Sequence, residues 1–303
     1  MKGLKTKVAL FLFMICLVGI FGISGVGVAY AQEGDDTNVI GTNVHSAKEQ
    51  MEEEENYIVD LVSQRTGKNL TASDWEICLN YLRENYNSII TDDEIDSNKV
   101  KSYVSAYTYV EMEEDEPDEK INFLVEPRAA YSPKKVSDYT DEYWNKHNSA
   151  YPNFENLGGD CANFVSQALY AGGKTMKGTD ASDFSNWFCR TNSVNQLSKV
   201  SSTWRGADAF GHYWLANAKG YKKFGASYFS SAENFKTVYN YGSKGDAISI
   251  LNSNGRPYHT LIISYKEDGK LKFASHTENH KWKSLYGYIR EGGIDPVRIY
   301  KMS

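Results

Sequence analysis

An α+β fold is predicted, with helices leading and an antiparallel sheet closing the chain. Three observations predict it. Apolar residues recur at helical spacing through most of the sequence, and from Gly245 onward the period shortens to that of strands. Glu267-Asp268-Gly269 separates two of the later apolar runs, which is a hairpin-turn signal. Residues 129–303, 175 in all, are enough for one well-filled globular core.

Residues 1–31 carry the pattern of an export signal. Lys2, Lys5 and Lys7 precede an apolar run from Val8 to Val28, and Ala29-Tyr30-Ala31 fits a small-residue cleavage site. The run is long for a signal, so an uncleaved anchor is the alternative. Nothing after residue 31 looks membrane-spanning. The expected location is therefore secreted or cell-surface, with membrane contact only through this segment.

Charge divides the remainder. Residues 32–128 hold 24 acidic and 8 basic side chains, a net of −16, whereas 129–303 hold 15 and 22, a net of +7. Such a split suggests separate roles or mutual attraction, including docking of the acidic segment on the basic one. The acidic segment opens with a polar stretch to Asn43. Helices are predicted over Ser46–Arg65, over Ser73–Tyr86 with a Ser73/Glu76 capping box, and over Ser97–Val110. Glu111–Glu119, with Pro117 inside, has the composition of a linker.

From Ala129 the composition turns to Tyr, Trp, Gly and Asn. A helix is predicted over Val136–Asn148. A second begins after Asp160, a good N-cap residue, and runs from Cys161 to Ala171, where Gly172-Gly173 ends it. A loop-rich aromatic stretch follows, then a helix over Ser231–Asn240. Strands are predicted over Gly245–Leu251, His259–Tyr265 and Lys270–His276, with a closing strand near Val297–Tyr300.

The candidate chemistry starts at Gly158-Gly159-Asp160-Cys161. The glycines allow a tight entry, and Cys161 falls in the first helical turn, where unpaired N–H groups and the helix dipole favour a thiolate. A lone cysteine is more often a small buried hydrophobe; this position argues for a nucleophile. A thiolate needs a base. Of the five histidines after the acidic segment, His259 opens an apolar strand at the sheet edge, while His147 and His212 lie in helical or aromatic contexts. Across the hairpin, His276 would come near His259 and could orient it, with Asn279 as the substitute. Cys78, Cys161 and Cys189 form no disulfide framework, although a Cys161–Cys189 bridge would argue against catalysis. Zinc held by Cys161, His259, His276 and His280 is the weaker reading, because Glu278–Lys281 has the pattern of a turn; no metal and no cofactor are expected. Phosphate-binding glycine loops are absent, and the dispersed lysines of an exported protein do not point to nucleic acid.

Tyr139…Trp144-Asn145…Asn148…Tyr151…Gly158-Gly159-Asp160-Cys161-Ala162-Asn163-Phe164-Val165-Ser166-Gln167 resembles the opening of the putative amidase domain family of exported bacterial proteins. Ser185-Asn186-Trp187, Ser202-Thr203-Trp204, Gly245-Asp246, His259-Thr260-Leu261-Ile262-Ile263 and Ser275-His276-Thr277 resemble its later motifs, so the likeness covers 131–300. Ala162 departs from the threonine usual there. The resemblance implies a papain-like fold with Cys161, His259 and His276 as the catalytic residues and Tyr151 near the oxyanion. It implies a cysteine amidase or peptidase acting on extracellular amides such as those of peptidoglycan. The expected layout is a signal at 1–31, an acidic helical segment at 32–128 and a papain-like amidase domain at 129–303. Two other readings stay open: a non-catalytic wall-binding module of the same fold, and a transglutaminase-like enzyme that transfers the acyl group to an amine.

Overall fold

The protein is described as a computed structural model over residues 47–113, 116–121 and 131–303. The expected export signal and the polar stretch after it lie outside those residues. Among the described residues, no helix is long and apolar enough to cross a membrane.

The acidic segment folds as a helical unit. It consists of α1 (Ala47–Thr66), α2 (Trp75–Glu84), α3 (Tyr86–Ile90) and α4 (Ser97–Glu113). Ile58, Val62, Leu79, Leu82, Val100 and Val104 meet in a core of their own, with Trp75 stacked on Tyr107 at 5.1 Å. The expected capping box is displaced by two residues: Thr71 and Asp74 form it, through Thr71 N–H to Asp74 Oδ2 at 2.8 Å, and α2 begins after it at Trp75. The expected linker is shorter too. Helix α4 runs on to Glu113, and Glu119–Ile121 form strand β1.

In the second half, α5 (Pro133–Tyr143) starts at the Ser132 cap with proline at the first position, and it ends earlier than predicted, leaving His147 in a loop. Helices α6 (Cys161–Ala171), α7 (Ser202–Arg205) and α8 (Ala207–Asn217) follow. Then come β2 (Gly220–Phe224), α9 (Ala232–Tyr241), β3 (Ala247–Leu251), β4 (Pro257–Glu267), β5 (Lys270–Ser275), β6 (His280–Ser284), α10 (Leu285–Glu291) and β7 (Val297–Lys301). The strands make one sheet in the order β1-β2-β7-β3-β4-β5-β6, with antiparallel neighbours throughout. The fold class is α+β.

Both faces of the sheet are covered. Ile262 and Ala274 join the core beneath α6, with Phe164, Val165, Trp187 and Trp204, whereas Leu261, Ile263 and Phe273 join Phe235 of α9 and Leu285 of α10 on the other face. Because successive strand residues point to opposite faces, Thr260 falls on the α6 side and His259 on the α10 side.

Buried ion pairs link the two halves. Arg256 reaches Glu54 at 2.6 Å and Glu55 at 3.4 Å, and Arg298 reaches Glu113 at 2.9 Å. Glu55 also accepts from Tyr107 Oη at 2.6 Å and Asn252 Nδ2 at 2.9 Å. Lys48 bonds Asp295 and the Gly292 carbonyl, each at 2.7 Å.

Candidate active site

The turn into α6 is built for close approach. Gly158 and Gly159 have φ of 94° and 105°, and a Cβ on Gly159 would come within 3.0 Å of Thr277 Oγ1. Asp160 occupies the N-cap position, but its side chain caps nothing. Its Oδ1 accepts instead from Phe154 N at 2.9 Å and Asn163 Nδ2 at 2.8 Å, and its Oδ2 faces His276 Nδ1 at 2.8 Å. The Asp160 N–H donates to Thr277 Oγ1 at 2.9 Å, holding Thr277 at the left-handed φ of 76° that β-branched residues avoid.

Cys161 is the first residue of α6 and is 7% exposed. Burial pushes its thiol up to about 11, against bonds from the Thr260 and Ala162 backbone, with the Asp160 charge adding to the rise. The helix start alone predicts the opposite shift. Desolvation is the largest influence on the sulfur, and its hydrogen-bonding neighbour is Thr260, the residue after His259.

His259 is fully buried in β4, and among the described residues neither ring nitrogen has a hydrogen-bond partner, Cys161 included. Burial lowers it to about 4, with the Glu278 charge working upward and His280 downward. The ring is therefore neutral near pH 7. Tyr288 of α10 lies 6.5 Å from it, centroid to centroid, and is also within electrostatic reach of Cys161. Tyr288 donates to Glu278 Oε2 at 2.9 Å. Burial works against the Glu278 carboxylate, but His280, the His259 charge and the Tyr288 hydroxyl together hold it down at about 2.

His276 is elsewhere. Its Nδ1 meets Asp160, its Nε2 meets the Tyr143 carbonyl at 2.7 Å, and its ring stacks on Phe164 at 4.0 Å. Both nitrogens are thus engaged on the α6 side of the sheet, so the ring does not orient His259. Asn279 is exposed in the turn between β5 and β6. The carboxylate acting on His259 is Glu278, which the sequence reading passed over: a glutamate in a turn carries no local mark of the helix it will face. Tyr151 stacks on Trp204 at 5.9 Å, and its hydroxyl is raised to about 12 by burial and then by Tyr170 and Cys189. It packs beside Trp204 against the core cluster that also holds Cys161. Cys78, Cys161 and Cys189 are all free, so no bridge disables Cys161. The zinc set weighed from the sequence is split, with His276 at Asp160 and His280 3.6 Å from Glu278.

A groove of about 230 Å³ opens beside Glu278 and Tyr288, bounded also by Lys48, Tyr258, Gly292 and Asp295. The first turn of α1 borders it, and Ala47 N–H donates to Glu278 Oε1 at 3.3 Å.

A family model described as a putative amidase domain matches residues 130–299. A protein of Bacillus subtilis (strain 168) named Uncharacterized protein YhbB is 33% identical over 134 residues, which are 44% of this chain and 37% of that protein. The chain therefore spans well under half the length of that relative. No solved structure matches the chain.

Proposed function

Since the chain belongs to the putative amidase domain family, whose name indicates amide hydrolysis in general, we propose that it is an exported cysteine amidase or peptidase of papain-like architecture. The observation that carries this reading is His259: a fully buried imidazole with two unpartnered nitrogens, one residue from the backbone that contacts the Cys161 sulfur. Leaving such a group unpaired costs about 1–3 kcal/mol, which a merely structural histidine would not be expected to bear.

In the proposed reaction Cys161 Sγ attacks the amide carbonyl carbon and its proton passes to the neutral His259 by way of one bridging water at the start of β4, since the two side chains lie on opposite sides of that strand. The tetrahedral oxyanion is stabilised by the Cys161 backbone N–H, an orphan donor of the first helical turn. His259 then protonates the departing amine, leaving a thioester, and takes a proton from water to release the acid and the thiol. Glu278 offsets the charge on the imidazolium, whereas the partner expected from the sequence was His276, as an orienter of the ring. Peptidoglycan peptides are the proposed substrate class, supported by the signal-like residues 1–31 and the family resemblance.

The test is mass spectrometry of peptidoglycan incubated with the chain from residue 32 onward, beside its Cys161→Ala variant. New fragments with free carboxyl and amine ends that require Cys161 are expected. Tight wall binding without cleavage would favour the binding module, and an added amine appearing in the product would favour acyl transfer.

A further inference from the structure

We propose that His147, Asp160 and His276 form a binding site for a divalent transition-metal ion, with zinc the expected occupant. The three sit on separate segments: the loop after α5, the entry to α6 and the turn after β5. Nevertheless His147 Nδ1, His276 Nδ1 and Asp160 Oδ2 lie within 4.8 Å of one another, with the two histidine nitrogens 3.7 and 2.8 Å from the carboxylate oxygen. Bonds of about 2.0–2.2 Å at tetrahedral angles put ligand atoms about 3.3–3.6 Å apart, so the 3.7 Å separation of His147 Nδ1 from Asp160 Oδ2 fits and the others need side-chain adjustment on binding.

The surroundings supply the second observation. A ligating histidine normally donates its other ring N–H to a carboxylate or carbonyl, which fixes the tautomer. Both rings do so here. His147 Nε2 lies 3.0 Å from Glu155 Oε2, and His276 Nε2 lies 2.7 Å from the Tyr143 carbonyl. Each remaining Nδ1 then faces Asp160 Oδ2, and a bound ion would take the place of the proton that His276 Nδ1 and Asp160 share across 2.8 Å. The other carboxylate oxygen is already held by Phe154 N and Asn163 Nδ2. Asp160 and His276 are buried and His147 is exposed, which gives an ion a way in and a fourth position for water.

Two nitrogens and one carboxylate select the ion. Calcium and magnesium demand mostly oxygen, whereas zinc takes two histidines and a carboxylate readily. Bound there, the ion would clamp the α6 entry to the turn carrying Thr277 and Glu278. It would bond none of the reacting atoms, but by offsetting the Asp160 charge it would oppose one of the influences that raise the Cys161 thiol.

The experiment uses chain from residue 32, without a histidine tag and freed of metal by chelator, titrated with zinc by calorimetry and with cobalt by visible absorption. One equivalent bound at micromolar Kd or tighter is expected, with the absorption bands of tetrahedral cobalt and a Tm increase of about 3 °C or more at saturation. His147→Ala, at an exposed loop position, should keep the fold and weaken binding on the order of 100-fold. Glu155→Gln should weaken it about tenfold through the ring it orients. Absence of stoichiometric binding would overturn the proposal, and so would zinc binding that His147→Ala leaves unchanged while a Cys161→Ala variant loses it.

Discussion

Tyr288 donates a hydrogen bond from its hydroxyl to Glu278 Oε2 across 2.9 Å, so the carboxylate whose charge acts on His259 is itself held in place. Removing that charge as Glu278→Gln should lower kcat about 100-fold with little change in KM, because the imidazolium forms only during reaction. Cys161→Ala and His259→Ala should each cost about 10⁴-fold or more and should not add, since they act as a unit. His276→Ala should lower Tm rather than alter the shape of the pH–rate profile. Steady-state kinetics on a small amide substrate decide the order, and a His276→Ala defect as deep as that of His259→Ala would contradict the assignment.

His259 also ties folding to pH. A ring lowered from 6.5 to about 4 binds its proton less well in the folded chain than in the unfolded one. The resulting stability is complete above about 6.5 and is lost as pH falls toward about 4, roughly 3 kcal/mol in all. Glu278, lowered from 4.5 to about 2, adds its own loss only below 4.5. Urea midpoints between pH 7 and 4.5 should therefore fall in the parent chain and fall less in His259→Gln.

The Cys161 thiol should alkylate slowly at neutral pH, with a rate that rises toward a midpoint of about 11. A midpoint at or below the free-thiol value of about 8.5 would show that burial does not control it. Lys48→Ala, which frees the first turn of α1 from Asp295 and Gly292 at the rim of the groove, should speed iodoacetamide labelling several-fold at fixed pH. Unchanged labelling would separate α1 from access to the sulfur.

Arg256 is 7% exposed and compensates both Glu54 and Glu55. Burial already raises the Glu55 carboxyl, with Arg256 opposing the rise. Arg256→Ala should destabilise the chain by about 3–5 kcal/mol, the usual result of stripping one partner from a buried pair. Adding Glu55→Gln should recover part of the loss. Equilibrium urea denaturation measures both.

The parts of this fold written in local periodicity were legible. The α6 helix and strands β3, β4, β5 and β7 fall within a few residues of their predicted limits, because burial of one face or both imprints the residue order. Strand β2 was not legible. Gly220-Tyr221-Lys222-Lys223-Phe224 lacks alternation, since two successive residues are buried at one end and two lysines follow. Of the candidate site, what was legible is the placement of Cys161 at a helix start and of His259 near a strand start. The partner of His276 was not. It is an aspartate 116 residues away, brought there by a glycine turn and a hydrogen bond to Thr277 that no spacing rule encodes. The thiol shift was missed for a related reason: the helix dipole is local, whereas burial is set by the whole fold.

Strand β1 has a further consequence. Glu119, Lys120 and Ile121 pair with Lys222, Tyr221 and Gly220, so the sheet built by the second half is finished by three residues of the first. At the opposite margin β6 has no outer neighbour among the described residues and carries Lys281 and Lys283, charges that discourage a foreign strand from adding on. β2 is covered by chain instead. Cutting the protein at residue 128 would uncover the β2 backbone as an open ladder, and the isolated second half would then tend to associate with itself. The acidic half serves, in this respect, as a built-in guard against aggregation of the half that bears the cysteine.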